Sequence, residues 1–272
     1  MMNKQQYSGS STSDTSRRRS NFWAGSRVDE IISGDFDGIR AFNDFNSGGK
    51  ITIPTTEAAL VGLPLNGFGS SGSTVAYDQV KNGGGALILA ETTNQEGFVL
   101  RDVVAPYQIS SGVGSLWFEC RIRSLLVATN EIAWLAGLMD TTAASATVPL
   151  TMTTGAIADC NFVGFHKPVA NTTALDTSYK ADGVTAVEVN SDVGTLAANT
   201  WIKLGMKFDT GTNALSFYIN GVKQASTKTI PNATGTDFPA DVALGLVVGM
   251  CVGSAASDNE LHIDWWECVQ HF

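Results

Sequence analysis

The chain has 272 residues, 28 of them glycine, with only 16% charged residues and a net charge of −9 at neutral pH. That length suits one large domain or two ordinary ones, and β-sandwiches of this size commonly form a single unit. The acidic balance argues against direct nucleic-acid binding, and no run of about 18 apolar residues is present to cross a membrane as a helix.

Residues 1–27 stand apart in composition. They are polar, Ser-rich and almost free of aliphatics, and they lack the apolar stretch of a secretory signal peptide. Lys4, Arg17, Arg18, Arg19 and Arg27 against Asp14 give this segment a net +4, which leaves −13 on residues 28–272. It cannot bury enough surface to fold by itself, so it reads as an extended basic arm on one acidic body, residues 28–272. Arg17, Arg18 and Arg19 are followed by Phe22 and Trp23. Guanidinium groups that pair with carboxylates beside two aromatic anchors describe a partner-docking arm; a solvated tail is the plainer reading.

From Gly34 to Gly49 the chain is rich in Asp, Gly, Asn and Phe. Asp35, Asp37 and Asp44 are oxygen ligands of the type calcium takes. Their spacing matches no EF-hand loop, and the Asp-Gly and Asn-Ser-Gly-Gly steps read as turns, so no metal or other cofactor is expected. Ala58 to Leu65 and Asp78 to Lys81 are the two places compatible with a short helical turn. Gly83-Gly84-Gly85 before Ala86-Leu87-Ile88-Leu89 is a loop and then a buried strand; without a following Lys-Ser/Thr and helix it is no phosphate cradle.

Leu116, Phe118, Cys120 and Ile122 alternate with Trp117, Glu119, Arg121 and Arg123, the signature of a strand with one buried face. Cys120 then reads as a buried, inert thiol. Cys120, Cys160, Cys251 and Cys268 are widely separated and none forms a CxxC pair, which fits a reducing compartment rather than a disulfide or zinc scaffold; a Cys251–Cys268 bridge is the alternative.

The clearest local signal is Trp201 to Lys223. Ile202, Leu204, Met206 and Phe208 form one inward row; Asp209-Thr210-Gly211-Thr212-Asn213 supplies a turn; Leu215, Phe217 and Ile219 resume the row. Asn220-Gly221 closes it with the dipeptide suited to positive φ at both turn positions. Val242, Leu244, Leu246, Val248 and Met250 predict a further inward row. These elements make the chain all-β: a two-sheet antiparallel sandwich.

The Trp201–Lys223 strand pair, Leu116–Arg123 and Leu261–Glu267 together resemble the central and closing strands of concanavalin A-like lectin/glucanase (laminin-G-like) domains. Phe42-Asn43-Asp44-Phe45 resembles the opening segment of such domains in tailed-phage structural proteins. The resemblance spans roughly Phe36 to Phe272 and implies a jelly-roll sandwich. It says little about ligand, because the family includes lectins, glycosidases, adhesion modules and virion proteins.

The glucanases of that family carry Glu-x-Asp-x-x-Glu on one strand, and retaining chemistry needs an acid/base and a nucleophile about 5–5.5 Å apart. The nearest match is His262-Ile263-Asp264-Trp265-Trp266-Glu267, with His in place of the first Glu. Strict alternation puts His262 and Asp264 on one face and Glu267 on the other. His166, His262 and His271 sit in no metal-binding or triad spacing, and Glu119 reads as a surface partner of an arginine. No catalytic residues are expected. Trp117, Trp201 and Trp266 fall opposite the apolar rows and form a candidate glycan platform.

Three readings follow. The first is a non-catalytic virion component of a tailed phage, a head decoration or auxiliary capsid protein. It would be made in the host cytoplasm, assemble as a homo-oligomer and contact other virion proteins, the major capsid protein above all, with no membrane or direct nucleic-acid partner. The second is a carbohydrate-binding module of a tail fibre or adhesin. The third is an inactive or unrecognised glycosidase.

Overall fold

The computed structural model describes residues 21–23, 26, 34, 37–45, 51–56, 58–60, 65–69, 73–80, 84–91, 96–140, 148–151, 153–170, 173–185, 187–225, 237–253 and 259–272. Among the described residues, apart from one 3₁₀ turn at Asn21–Trp23, the regular structure is β. The strands are β1 (Gly38–Asn43), β2 (Ile51–Thr52), β3 (Ala58–Ala59), β4 (Leu65–Gly69), β5 (Thr74–Val80) and β6 (Gly84–Glu91). They continue as β7 (Gly97–Asp102), β8 (Tyr107–Gln108), β9 (Leu116–Ser124), β10 (Ile132–Met139), β11 (Phe162–Lys167) and β12 (Ala174–Lys180). The last six are β13 (Glu188–Thr195), β14 (Ile202–Asp209), β15 (Ala214–Ile219), β16 (Val222–Lys223), β17 (Ala243–Val252) and β18 (Asn259–His271). Of the two spans compatible with a helical turn, Ala58–Ala59 is strand while residues 61–64 lie outside the described residues; Asp78 to Val80 lie inside β5, where pairing with β6 overrides a weak local preference.

The first sheet runs β16-β15-β14-β9-β18-β6-β5-β2, with β1 on the second half of β18. The second runs β13-β12-β11-β10-β17-β7-β4-β3, with β8 on β17. All pairings within them are antiparallel, and the two sheets face each other as a jelly-roll sandwich.

The inward rows are those the alternation predicts. Leu204, Met206, Phe208, Leu215 and Phe217 from the first sheet meet Leu244, Leu246, Val248 and Met250 from the second in one continuous core, with Ile219 and Val242 at its margin. Phe165 and Phe217 join the sheets edge to face at 5.4 Å. Asn220 and Gly221 both take positive φ, 49° and 80°, as their turn requires. The four cysteines are buried free thiols. Cys251 packs on the outer side of the second sheet and Cys268 in the core, so the alternative of a bridge between them is overturned.

The sheets treat their outer faces differently. That of the second sheet is apolar: Val99, Leu135, Phe162, Val247 and Cys251 lie beneath Val148, Leu150 and Ile157, in a short excursion between β10 and β11. His166 is caught there, bonded through Nε2 to the Gly155 carbonyl at 2.7 Å, and burial pushes its pKa down to about 4. The outer face of the first sheet is polar, and it carries the candidate site.

Two outcomes test this arrangement. Phe217→Ala removes a ring shared by both sheets and should lower the stability measured by urea unfolding by about 3–5 kcal/mol. Asp102, which accepts the Leu246 amide at 2.9 Å, has its pKa raised by burial to about 6. A carboxyl that holds its proton more tightly folded than unfolded contributes stability below its ordinary pKa, and that contribution is lost as pH rises through about 4 to 6. Asp102→Asn keeps the acceptor without the charge. The variant should gain about 2 kcal/mol on wild type between pH 4 and pH 8, read by unfolding at both.

Candidate functional site

The outer face of the first sheet takes its character from one irregularity. On β18, Ile263 opposes Ile122 and Trp265 opposes Arg121, so Asp264 is an extra residue between them. Such a bulge shifts the phase of a strand by one residue. Leu261 and Ile263 point into the core before it, and Trp266 and Cys268 after it. His262, Asp264 and Glu267 consequently share the outer face, which corrects the expectation that Glu267 lies opposite the other two.

These side chains join a band from neighbouring strands. Glu267 pairs directly with Glu119 on β9, and Glu119 with Gly205 on β14, which in turn opposes Tyr218 on β15. One step along, Trp265, Arg121 and Lys203 form the adjacent row. Glu119, Lys203, Asp264 and Glu267 are fully buried, and Arg121 nearly so. Ionised groups are tolerated at such depth only when paired or hydrogen-bonded.

The pairing is specific. Arg121 Nη1 donates to Asp264 Oδ2 at 2.5 Å, and Arg40 Nε on β1 to Glu267 Oε1 at 2.8 Å. Arg123 Nη2 lies 2.8 Å from His262 Nδ1, and His262 Nε2 lies 2.7 Å from Glu260 Oε2. Because a guanidinium only donates, Nδ1 accepts and the proton sits on Nε2, the neutral tautomer. Trp201 lies against both guanidiniums, with Arg121 and Arg123 Cζ at 4.6 and 4.8 Å from its ring centre.

Glu119 is not the surface partner of an arginine that its strand position suggests. Its Oε2 accepts a hydrogen bond from Trp23 Nε1 at 2.7 Å, 96 residues away in sequence. Phe22 packs at a tilt on Tyr218, ring centres 4.8 Å apart, and with Trp23, Trp117 and Val269 forms a small cluster separate from the main core. Behind them, Ser26 N donates to the Trp23 carbonyl and His271 Nε2 to the Ser26 carbonyl. The two aromatic anchors of the arm are thus buried against the chain's own body. Phe22 and Trp23 complete the outer face. Arg17, Arg18 and Arg19 lie outside the described residues, as does Asp35 of the calcium reading.

The three tryptophans do not form a common platform. Trp117 is buried beneath Phe22 and Trp23 and beside His271 at 4.7 Å. Trp266, turned inward by the bulge, packs edge to face on Phe45 in the core at 5.4 Å. Trp201 alone of the three is partly exposed. Period-2 reading set Lys203 and Gly205 on the outer phase of β14 without giving them a role, and it singled out neither Arg40 nor Tyr218. Their roles follow from strand register, and the nearest sequence signal was the polar phase of β9 and β14.

No family model matches the chain, and no curated protein matches it in sequence. Solved structures do match in shape. Peanut lectin aligns over 86% of this chain and 97% of its own, with 12% identity and a TM-score of 0.54. An endo-β-1,4-glucuronan lyase from the fungus Trichoderma reesei aligns over 85% and 95%, with 11% identity and a TM-score of 0.53. A protein of unknown function from Shewanella oneidensis aligns over 90% and 94%, with 13% identity and a TM-score of 0.54. The fold is a concanavalin A-like lectin/glucanase sandwich. It is shared by proteins that bind carbohydrate and proteins that cleave it, and at this identity the likeness defines the fold alone.

The Trp23–Glu119 bond is testable. Trp23→Phe keeps the ring and removes the donor from a buried carboxylate, and should cost about 1–3 kcal/mol in chemical unfolding. Glu119→Gln in the same background should recover part of that loss, so the double-mutant cycle shows coupling between two residues far apart in sequence.

Proposed function

We propose that this chain is a non-catalytic structural module, and more specifically an accessory component of a tailed-phage particle. The observation that supports it is the state of the outer face: Glu119, Asp264 and Glu267 are buried, each held by a donor of the same chain. Retaining hydrolysis needs one protonated and one ionised carboxyl open to a sugar ring between them. Here arginines neutralise two of the three carboxylates and an indole N–H caps the third. A closed, rigid sandwich with a basic arm on an acidic body suits assembly better than turnover, since charge pairing speeds encounter while anchors and shape set residence time. Four unbridged thiols agree with synthesis in a host cytoplasm. The proposed partners are the major capsid protein and further copies of this chain.

A glycan-binding module is the second reading. It is favoured by the sandwich shared with peanut lectin and by the partly exposed Trp201 held between two arginines. The test is expression in the context of phage assembly, followed by purification of intact particles. The chain should sediment with them in high copy and detach more readily at high salt, while the purified protein leaves β-glucans and other polysaccharides uncleaved and a glycan array unlabelled. Array binding abolished by Trp201→Ala, with no particle association, would establish the second reading instead. Reproducible polysaccharide cleavage lost in Glu267→Gln would overturn both.

A further inference from the structure

The seat of Phe22 and Trp23 is built as a receptor for that dipeptide. Its floor is Gly205, and a side chain at this position would begin 3.5 Å from the Phe22 ring. Strand register places Glu119 on one flank of Gly205 and Tyr218 on the other. The carboxylate takes the indole N–H at 2.7 Å and the tyrosine takes the phenyl ring at 4.8 Å. The seat thus reads an aromatic pair by shape on one side and by a charge-assisted hydrogen bond on the other.

Three features bear on which copy of the chain fills it. The cluster of Phe22, Trp23, Trp117 and Val269 is separate from the main core, so exchanging its occupant leaves the sandwich intact. Eleven residues lie between Ser26 and β1, and at full extension they span up to about 40 Å. That exceeds the roughly 19 Å radius of gyration expected for a compact chain of this length. Finally, residues 1–27 carry +4 and the remainder −13. The attraction that draws the arm to its own body acts equally on a neighbouring one.

We infer that the Phe22–Trp23 segment also docks in trans, filling the Glu119–Gly205–Tyr218 seat of a second copy of this chain, so that copies link by arm exchange. Every contact of the closed form is reproduced, and the exchange is neutral in contacts. Within a single chain the arm competes for its own seat at an effective concentration on the order of millimolar. Exchange is therefore populated where copies are held close together. The inference does not depend on the particle being a phage.

Complementation removes the intramolecular competitor. One full-length variant, Phe22→Ala with Trp23→Ala, has a vacant seat and no anchor; the other, Gly205→Leu, has an anchor and a blocked seat. Thermal unfolding establishes that each is folded, and Tyr218→Ala with Glu119→Gln replaces Gly205→Leu if that variant is not. In analytical ultracentrifugation at tens of micromolar, each variant alone should be monomeric, and the equimolar mixture should form a one-to-one heterodimer. Absence of the heterodimer between two folded variants overturns arm exchange. So does equal self-association of either variant alone, which would place the contact elsewhere. Particle association could fail in the earlier test while the heterodimer forms, so the two proposals fail separately.

Discussion

Ionisable groups on a buried strand face destabilise a fold unless each meets an opposite charge or a donor. The first sheet buries Glu119, Arg121, Lys203, Asp264 and Glu267 in one band, and much of the molecule's organisation follows from matching them. Arg40 on β1 reaches Glu267, Arg121 reaches Asp264, and Trp23 reaches Glu119 from a point far away in sequence. A buried ion pair contributes little net stability compared with a well-packed apolar pair, yet removing one partner is costly. The band therefore acts chiefly as a constraint on register and on where the N-terminal segment sits.

The second sheet meets the same need for cover by ordinary means. Its outer face is apolar and lies under a short excursion of chain between two adjacent strands, a local and hydrophobic solution. On the first sheet the cover comes from far away in sequence and is aromatic, tied down by one polar contact, the Trp23–Glu119 hydrogen bond, with Gly205 beneath it. A face closed by its own chain differs from an open groove lined with free carboxylates. That difference is the ground on which a structural role is proposed in place of a hydrolytic one, on a fold that a lectin and a polysaccharide lyase share.

Much of the fold was legible in the sequence because period-2 patterning and turn chemistry are local. The rows from Ile202 to Ile219 and from Val242 to Met250, and the Asn220-Gly221 turn, are found where alternation and positive φ require them. The site was less legible. A one-residue bulge leaves no mark in composition, yet it reverses the face of every later side chain on β18, which carries Trp266 inward and Glu267 outward. Glu119 was correctly placed on the outer phase of β9, but its indole partner depends on tertiary docking. The helical turn expected at Asp78 gave way to strand pairing, because the seven-residue β5–β6 ladder extends over more hydrogen bonds than a single turn provides.

Trp23 closes the outer face by donating to Glu119, and the rest of the band's order depends on that bond. The chain has six tryptophans, so its indole N–H signals can be resolved in a nitrogen-15 correlation spectrum and Trp23 assigned by its loss in Trp23→Phe. A donor bound to a buried carboxylate should resonate downfield of the other indoles and exchange with solvent slowly, with the signal moving in Glu119→Gln. A Trp23 indole that exchanges as fast as a free tryptophan, and is indifferent to the residue at position 119, would contradict the account.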